Sequence, residues 1–243
     1  DERADLERFS KRLIFDFDPV LDGIPGYAWI FPYVDPTRFK IGIMDGRGIT
    51  NGSVLREWTD DFAERHGFRR VEDKIAGWPE HYFSPQTRAA GPKALLVGEA
   101  WGIDPLLGEG IAPSLEMAEY AAGILRRALD KGQSALGGYE RNFLRTEPGQ
   151  NLLFQHHLAN LIYGERPFRW MRVLFGHEHM RALAESGTAA YGRLAKHLPH
   201  LIFSYGLQCL RDGHLLPSAA DFPELRGVEG RGRVSPPPSI RAR

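Results

Sequence analysis

Residues 93–131, KALLVGEAWGIDPLLGEGIAPSLEMAEYAAGILRRALDK, constrain the fold more than any other part of the chain. The apolar residues 94–97 are too few for a helix and fit a buried strand. A loop follows that carries Gly98, Gly102, Pro105, Gly108 and Gly110. Beyond it, Ile111, Leu115, Ala118, Ala122, Leu125 and Leu129 step by four and three residues, one stripe of a 3.6-residue period. Strand, glycine loop and helix make a binding architecture. Glycines let the backbone pass close to a ligand, and the free N–H groups of a helix's first turn favour an anion or an electron-rich carbonyl.

The string over residues 95–122 resembles the second flavin-binding motif of the FAD-dependent oxidoreductases of the geranylgeranyl reductase and p-hydroxybenzoate hydroxylase group. Their pattern is an apolar strand, Gly-Asp-Ala-Ala-Gly, a spacer with Pro, then Gly-x-Gly-Ile and a small-residue helix. Two positions depart from it. Glu99 stands where the group has Asp, keeping the acceptor chemistry with one more methylene of reach, and Trp101 replaces a small residue. The resemblance implies that Gly98, Glu99, Pro105, Leu106, Gly108, Glu109, Gly110 and Ile111 bind FAD. In that assignment Glu99 takes the ribityl hydroxyls, the backbone of residues 108–111 faces the N1–C2=O edge of the flavin, and Pro105 and Leu106 line the ring. NAD(P)H is the implied electron donor.

Upstream, residues 12–18 (RLIFDFD), 27–34 (YAWIFPYV) and 39–44 (FKIGIM) alternate or run apolar between turn signals at Asp22-Gly23, Pro25-Gly26 and Asp35-Pro36. Three strands with short turns predict an antiparallel meander. Alternation sets Tyr27, Trp29 and Phe31 on one face. With Pro32 they resemble the Y-x-W-x-F-P substrate motif of geranylgeranyl reductases, with Pro25 one place nearer the Tyr than that motif's leading Pro. The resemblance implies that Tyr27, Trp29, Phe31 and Pro32 shape a cavity for an apolar substrate. Tyr27, whose hydroxyl can donate a proton into such a cavity, is the one catalytic candidate; an aromatic strand face is equally the pattern of ordinary core.

Residues 51–67 predict a helix capped by Asn51 or Ser53 and stopped by Gly67. Residues 70–78 read as a further strand, and the proline-rich stretch 79–92 as a crossover in which His81, Tyr82 and Arg88 are pocket candidates. After residue 131, YERNFLRTEPG reads as a helix ended by Pro148-Gly149, and residues 152–210 as interrupted helix. Within them IYGERPFRWMRVLF interleaves arginines with aromatics, a pattern that suits either a membrane surface or a helix packed on the core. Residues 227–243 read as a disordered tail.

The expectation is therefore an α+β fold: an antiparallel substrate sheet with a helix (1–79), the last strand–loop–helix of a flavin-binding α/β domain (80–131), a helical C-terminal region (132–226) and the tail. The equal counts of basic and acidic residues, 31 each, give no field that favours nucleic acid. One cysteine fits a reducing compartment and a cytoplasmic location, with membrane association open. His156-His157 and His177-Glu178-His179 lack the i, i+4 spacing that joins two imidazoles on one helix face, so no metal site is expected. No G-x-G-x-x-G precedes a βα unit, and a C-terminal portion of a longer flavoprotein is expected. The function implied is FAD-dependent reduction of C=C bonds in an isoprenoid or other apolar substrate. The alternatives are a flavin monooxygenase of the aromatic hydroxylase type and a non-catalytic apolar-ligand-binding fragment unable to hold FAD alone.

Overall fold

The computed structural model describes residues 9–71, 75–132 and 136–164. Alternating residues and short turns produce the expected meander. Strands β1 (Ile14–Asp16), β2 (Gly26–Pro32) and β3 (Phe39–Asp45) pair antiparallel in that order. The register sets Phe15 beside Trp29, Tyr27 beside Met44 and Trp29 beside Gly42. The turn after β1 holds a one-turn helix, α1 (Asp18–Leu21), with Pro19 in its first turn.

Because side chains alternate, the sheet has two apolar faces. Ala28 and Ile30 pack with Phe9 and Phe62 on one, joined by Ile14, Phe39, Ile41 and Ile43. Phe62 belongs to α2 (Gly52–Arg65), which Asn51 caps by accepting the Ser53 N–H at 2.9 Å. Tyr27 and Met44 pack on the other face with Ala159, Ile162 and Tyr163 of the C-terminal part, flanked by Phe15, Trp29, Leu106 and Leu107. α2 ends at Gly67, whose φ of +76° is a left-handed stop.

Residues 94–97 form no sheet strand. They pair only through a bridge of Leu95 with Ala90, with Leu96 N–H donating to Ala89 O (2.7 Å) and Gly91 N–H to Ala94 O (2.8 Å). A strand needs a partner along its length, and the described residues offer this one short turn. Arg70, Val71 and residues 75–78 are likewise not strand, with Trp78 86% exposed, while residues 72–74 lie outside the described residues.

The long helix is present as α3 (Ile111–Asp130), but its buried face is another one. Pro113, Met117 and Ala121 turn inward onto Phe83, Trp101, Tyr139, Phe143 and Leu152. The stripe of Ile111, Leu115, Ala118, Ala122, Leu125 and Leu129 is exposed, Ile111 at 77% and Leu129 at 80%. The second correction concerns Pro148-Gly149. Tyr139–Phe143 is a short helix, α4, and Pro148 opens α5 (Glu147–Ile162) rather than ending a helix. Thr146 caps it by accepting the Gly149 N–H at 3.3 Å; proline suits a helix's first turn because its missing N–H would be unpaired there anyway. The readings for residues 165–243 lie outside the described residues.

Candidate functional site

A cleft of about 570 Å³ opens between the aromatic face of the sheet, the start of α3 and the first turns of α5. Tyr27, Trp29 and Phe31 form one wall together with Phe15 of β1. Their rings follow one another at centroid distances of 5.8 Å (Tyr27–Trp29), 6.1 Å (Trp29–Phe31) and 5.3 Å (Phe15–Phe31). Gly42 makes room for the row. A Cβ there would lie 2.3 Å from Trp29 Cζ2, so only glycine lets the indole lie against β3. Pro32 follows Phe31 by one residue, so alternation turns it to the α2 side, away from the cleft.

The opposite rim is the part of the glycine loop formed by Leu107, Gly108 and Glu109. Asp104 builds this turn: its carboxylate accepts the N–H groups of Leu106 (2.7 Å) and Leu107 (3.1 Å), and its carbonyl accepts that of Gly108 (3.0 Å). Gly108 has φ +68°, and a Cβ would meet Met44 Sδ at 3.0 Å and Glu80 Oε2 at 3.1 Å. Two tyrosines of one apolar cluster fasten the turn. Tyr27 donates its hydroxyl to Leu107 O (2.5 Å) and Tyr163 donates to Leu106 O (2.6 Å).

Both hydroxyls stay protonated. Burial raises each well above the usual tyrosine value, with the charges of Asp104, Glu80 and Glu109 adding to it at Tyr27. The proton that made Tyr27 a catalytic candidate is thus engaged with a backbone carbonyl, and the geometry is that of a positioning residue.

The other expected cofactor residues divide into two groups. Pro105 is buried and Leu106 packs with Tyr27, Met44 and Tyr163, so neither lines the cleft. Gly98 and Glu99 sit on a 3-10 turn, Gly98–Ala100, against Ser114 of α3 and also outside the cleft. Trp101, the larger departure from the flavin pattern, turns away into the core. It packs at 5.1 Å from Tyr139 and 5.0 Å from Phe143, and its indole N–H donates to Thr87 O at 3.3 Å. Its bulk therefore takes no space from the loop.

A flavin's ring-facing edge can be tested against these residues. The exposed Glu99 carboxylate has no partner among the described residues, as an acceptor for hydroxyls requires. The N–H groups of Ile111 (2.7 Å) and Ala112 (3.0 Å), however, both donate to Glu109 Oε1, so the helix start is capped by the chain's own carboxylate. An electron-rich oxygen could reach these N–H groups only by displacing the Glu109 side chain. Gly110 underlies this helix start, with the Ser114 hydroxyl donating to its carbonyl.

Several cleft residues went unread in the sequence: Met44, Glu80, Pro113, Glu116, Asn151 and Gln155. Asn151 and Gln155 stand four apart on α5 and share a face. They are 9% and 4% exposed, and their carbonyl oxygens Oδ1 and Oε1 have no hydrogen-bond partner among the described residues. Leaving such atoms buried and unpaired costs about 1–3 kcal/mol each. Amides four residues apart at Asn151 and Gln155, within the largely apolar helix segment NLLFQHHLANLI, were the available signal.

Of the crossover candidates, none lines the cleft. His81 donates from Nδ1 to Glu99 O (3.1 Å), Tyr82 donates to Glu80 Oε2 (3.0 Å) and Arg88 donates to Ala90 O (3.2 Å). His156 contacts Phe83 O through Nδ1 (3.1 Å) and the Asn160 side-chain amide through Nε2 (3.1 Å). The described residues hold no group of three side chains placed to bind a metal, and none of their helices is long and apolar enough to cross a membrane.

No protein-family model matches the chain. A curated relative, digeranylgeranylglycerophospholipid reductase 2 of Methanothermobacter thermautotrophicus, is 29% identical over 167 residues, covering 66% of this chain and 39% of the relative. The chain thus spans about two fifths of the length of the curated relative it matches. Among solved structures, a geranylgeranyl bacteriochlorophyll reductase-like protein from Thermoplasma acidophilum aligns at 20% identity and TM-score 0.42, over 66% of this chain and 47% of that one. Over about two thirds of its length the chain is thus similar in sequence to a protein named as a reductase of the geranylgeranyl type.

Proposed function

We propose that this chain supplies the substrate sheet and the ring-facing loop of an FAD-dependent reductase that saturates C=C bonds in an isoprenoid or other apolar substrate. One juxtaposition carries the reading: the aromatic row of Tyr27, Trp29 and Phe31 faces Leu107, Gly108 and Glu109 across a single cleft. A long apolar chain and a flavin edge would there lie side by side. FAD, when bound, supplies the hydride chemistry, with NAD(P)H as its source. The chain's own part is to accept ribityl hydroxyls at Glu99, to offer the Ile111 and Ala112 N–H groups to electron-rich oxygen, and to exclude water with the aromatic wall.

The remaining cofactor contacts are assigned to a further part of the enzyme seated on the exposed apolar stripe of α3. That surface is what such a part would cover, as substantial exposed apolar patches mark interaction sites. Within this proposal residues 1–79 are the substrate unit, 80–131 the last piece of the flavin unit and 132–226 a helical region, acting in the cytoplasm or at a membrane surface.

Titrating FAD with the purified chain and following flavin fluorescence tests the reading. Weak quenching that falls further in Glu99→Ala, with a colourless protein after desalting, is expected; flavin that ignores saturating protein would sink it. Anaerobic alkene saturation by flavin-loaded protein then separates the reductase from a monooxygenase, whose sign is substrate-dependent oxygen consumption. A second reading, a non-catalytic apolar-ligand module, is favoured by Glu109 occupying the helix N–H groups. The same titration decides between the two.

A further inference from the structure

We infer that the cleft selects an uncharged, hydroxyl-bearing amphiphile: Asn151 and Gln155 take the hydroxyl group while the aromatic row takes the apolar chain. The inference rests on the reading of the cleft as an apolar-substrate site and adds what its polar end accepts. Two observations carry it. The first is the pair of amides, nine-tenths or more buried, whose carbonyl oxygens lack partners at the wall of the cleft. The torsion that ends an Asn or Gln side chain is soft, so either amide can turn its oxygen or its NH2 toward a guest. A hydroxyl both donates and accepts, and therefore serves either orientation.

The second observation is the sign of the charge. Every ionisable cleft residue among those described, apart from Tyr27, is a carboxylic acid: Glu80, Glu109 and Glu116. No lysine, arginine or histidine lines it among the described residues. Phosphate and carboxylate groups are ordinarily met by Arg forks, Lys or free helix N–H groups; the helix N–H groups here go to Glu109 in this structure and to the flavin edge in the proposed holoenzyme, so neither state leaves them for a substrate anion. A diphosphate or phosphodiester head in this cleft would meet three like charges and no partner. A neutral alcohol meets two idle amides.

The test is an equilibrium comparison, delivered in one neutral detergent, of geranylgeraniol, geranylgeranyl diphosphate and the corresponding hydrocarbon in which hydrogen replaces the hydroxyl. The alcohol is expected to bind at least about tenfold tighter than either, and added salt should raise diphosphate affinity without moving that of the alcohol. Asn151→Leu with Gln155→Met should erase the preference for alcohol over hydrocarbon while holding or raising the melting temperature, since it removes unpaired buried atoms. A merely structural role for the amides predicts a lower melting temperature and an unchanged preference, which would overturn the inference. So would diphosphate binding as tightly as alcohol in the unmodified chain, a comparison that needs no variant. Alcohol and hydrocarbon binding equally would refute the selective amide site and leave the apolar cleft standing; no binding by any of the three would refute both.

Discussion

Gly42→Ala is a small change with a calculable consequence. The added methyl would stand 2.3 Å from Trp29 Cζ2, 2.7 Å from Cε2 and 2.8 Å from Cη2. Carbon atoms rest about 3.5–4.0 Å apart, so the indole must withdraw by roughly 1.2–1.7 Å. It cannot do so alone, because its ring stacks on Phe31 at 29° and 6.1 Å and leans on Tyr27 at 5.8 Å. Overpacking of this kind costs about 1–3 kcal/mol. At roughly 2–4 °C per kcal/mol for a chain of this size, the melting temperature should fall by about 2–12 °C. The indole moves into the cleft, so affinity for an apolar ligand should fall with it. Calorimetric melting and tryptophan emission, the latter read as a difference against Trp29→Phe, follow the two effects. The decisive arm is the same substitution in a Trp29→Ala background, where the methyl meets no ring. A stability penalty that persists there refutes the assignment of the strain to Trp29.

Tyr163→Phe removes the donor to Leu106 O and should cost about 1–3 kcal/mol. Hydrogen exchange at the amides of Leu106, Leu107 and Gly108 should quicken more than at α2; uniform quickening would count against a local fastening. Glu140 Oε1 accepts the N–H groups of Ala89 (2.9 Å) and Ala90 (2.8 Å). Although burial pushes its pKa up, these N–H groups, its own and the Arg88 charge outweigh burial and hold it below 4.5. A depressed folded pKa gives stability that is present above pH 4.5 and lost as pH falls through the folded value. Glu140→Gln should accordingly flatten that limb of the acid titration, and an unchanged limb would assign it elsewhere. At the alkaline end, burial pushes Tyr139 up to about 12 and raises Tyr27, Tyr82 and Tyr163 as well. Raised folded values mean that stability is intact below pH 10 and drains away as pH climbs through 12. Tyrosinate absorbance from these rings should appear with unfolding, and its appearance in still-folded protein would contradict their burial.

The meander was legible because alternating runs and turn pairs act locally, and the same alternation placed Tyr27, Trp29 and Phe31 together. The extent of α3 was legible for a similar reason, yet its inward face was not. Met117 and Ala121 are no more apolar than Leu115 and Leu125, and which stripe is covered depends on where Trp101, Tyr139 and Phe143 arrive from elsewhere in the chain. Pro148 was misread because proline punctuates both ends of a helix, and only Thr146 in front of it distinguishes a start. Asn151 and Gln155 escaped notice because an amide on a helix usually faces water; here the sheet and α3 close over it. Glu109 was read as part of a cofactor loop, while its capping of Ile111 and Ala112 depends on a side-chain rotamer that spacing does not reveal.

The loop between Asp104 and Gly108 is gripped by its main chain. Its amides go to Asp104 and its carbonyls at Leu106 and Leu107 go to two tyrosines. A segment held in this way keeps its path whatever side chains it bears, so Leu107, which lines the cleft, is an adjustable wall on a fixed frame. Changing its size would recut the cavity for longer, shorter or more branched guests without dislodging the neighbouring helix start. In a lineage of such proteins, guest preference could drift at this residue while the tyrosines and Asp104 hold the architecture still.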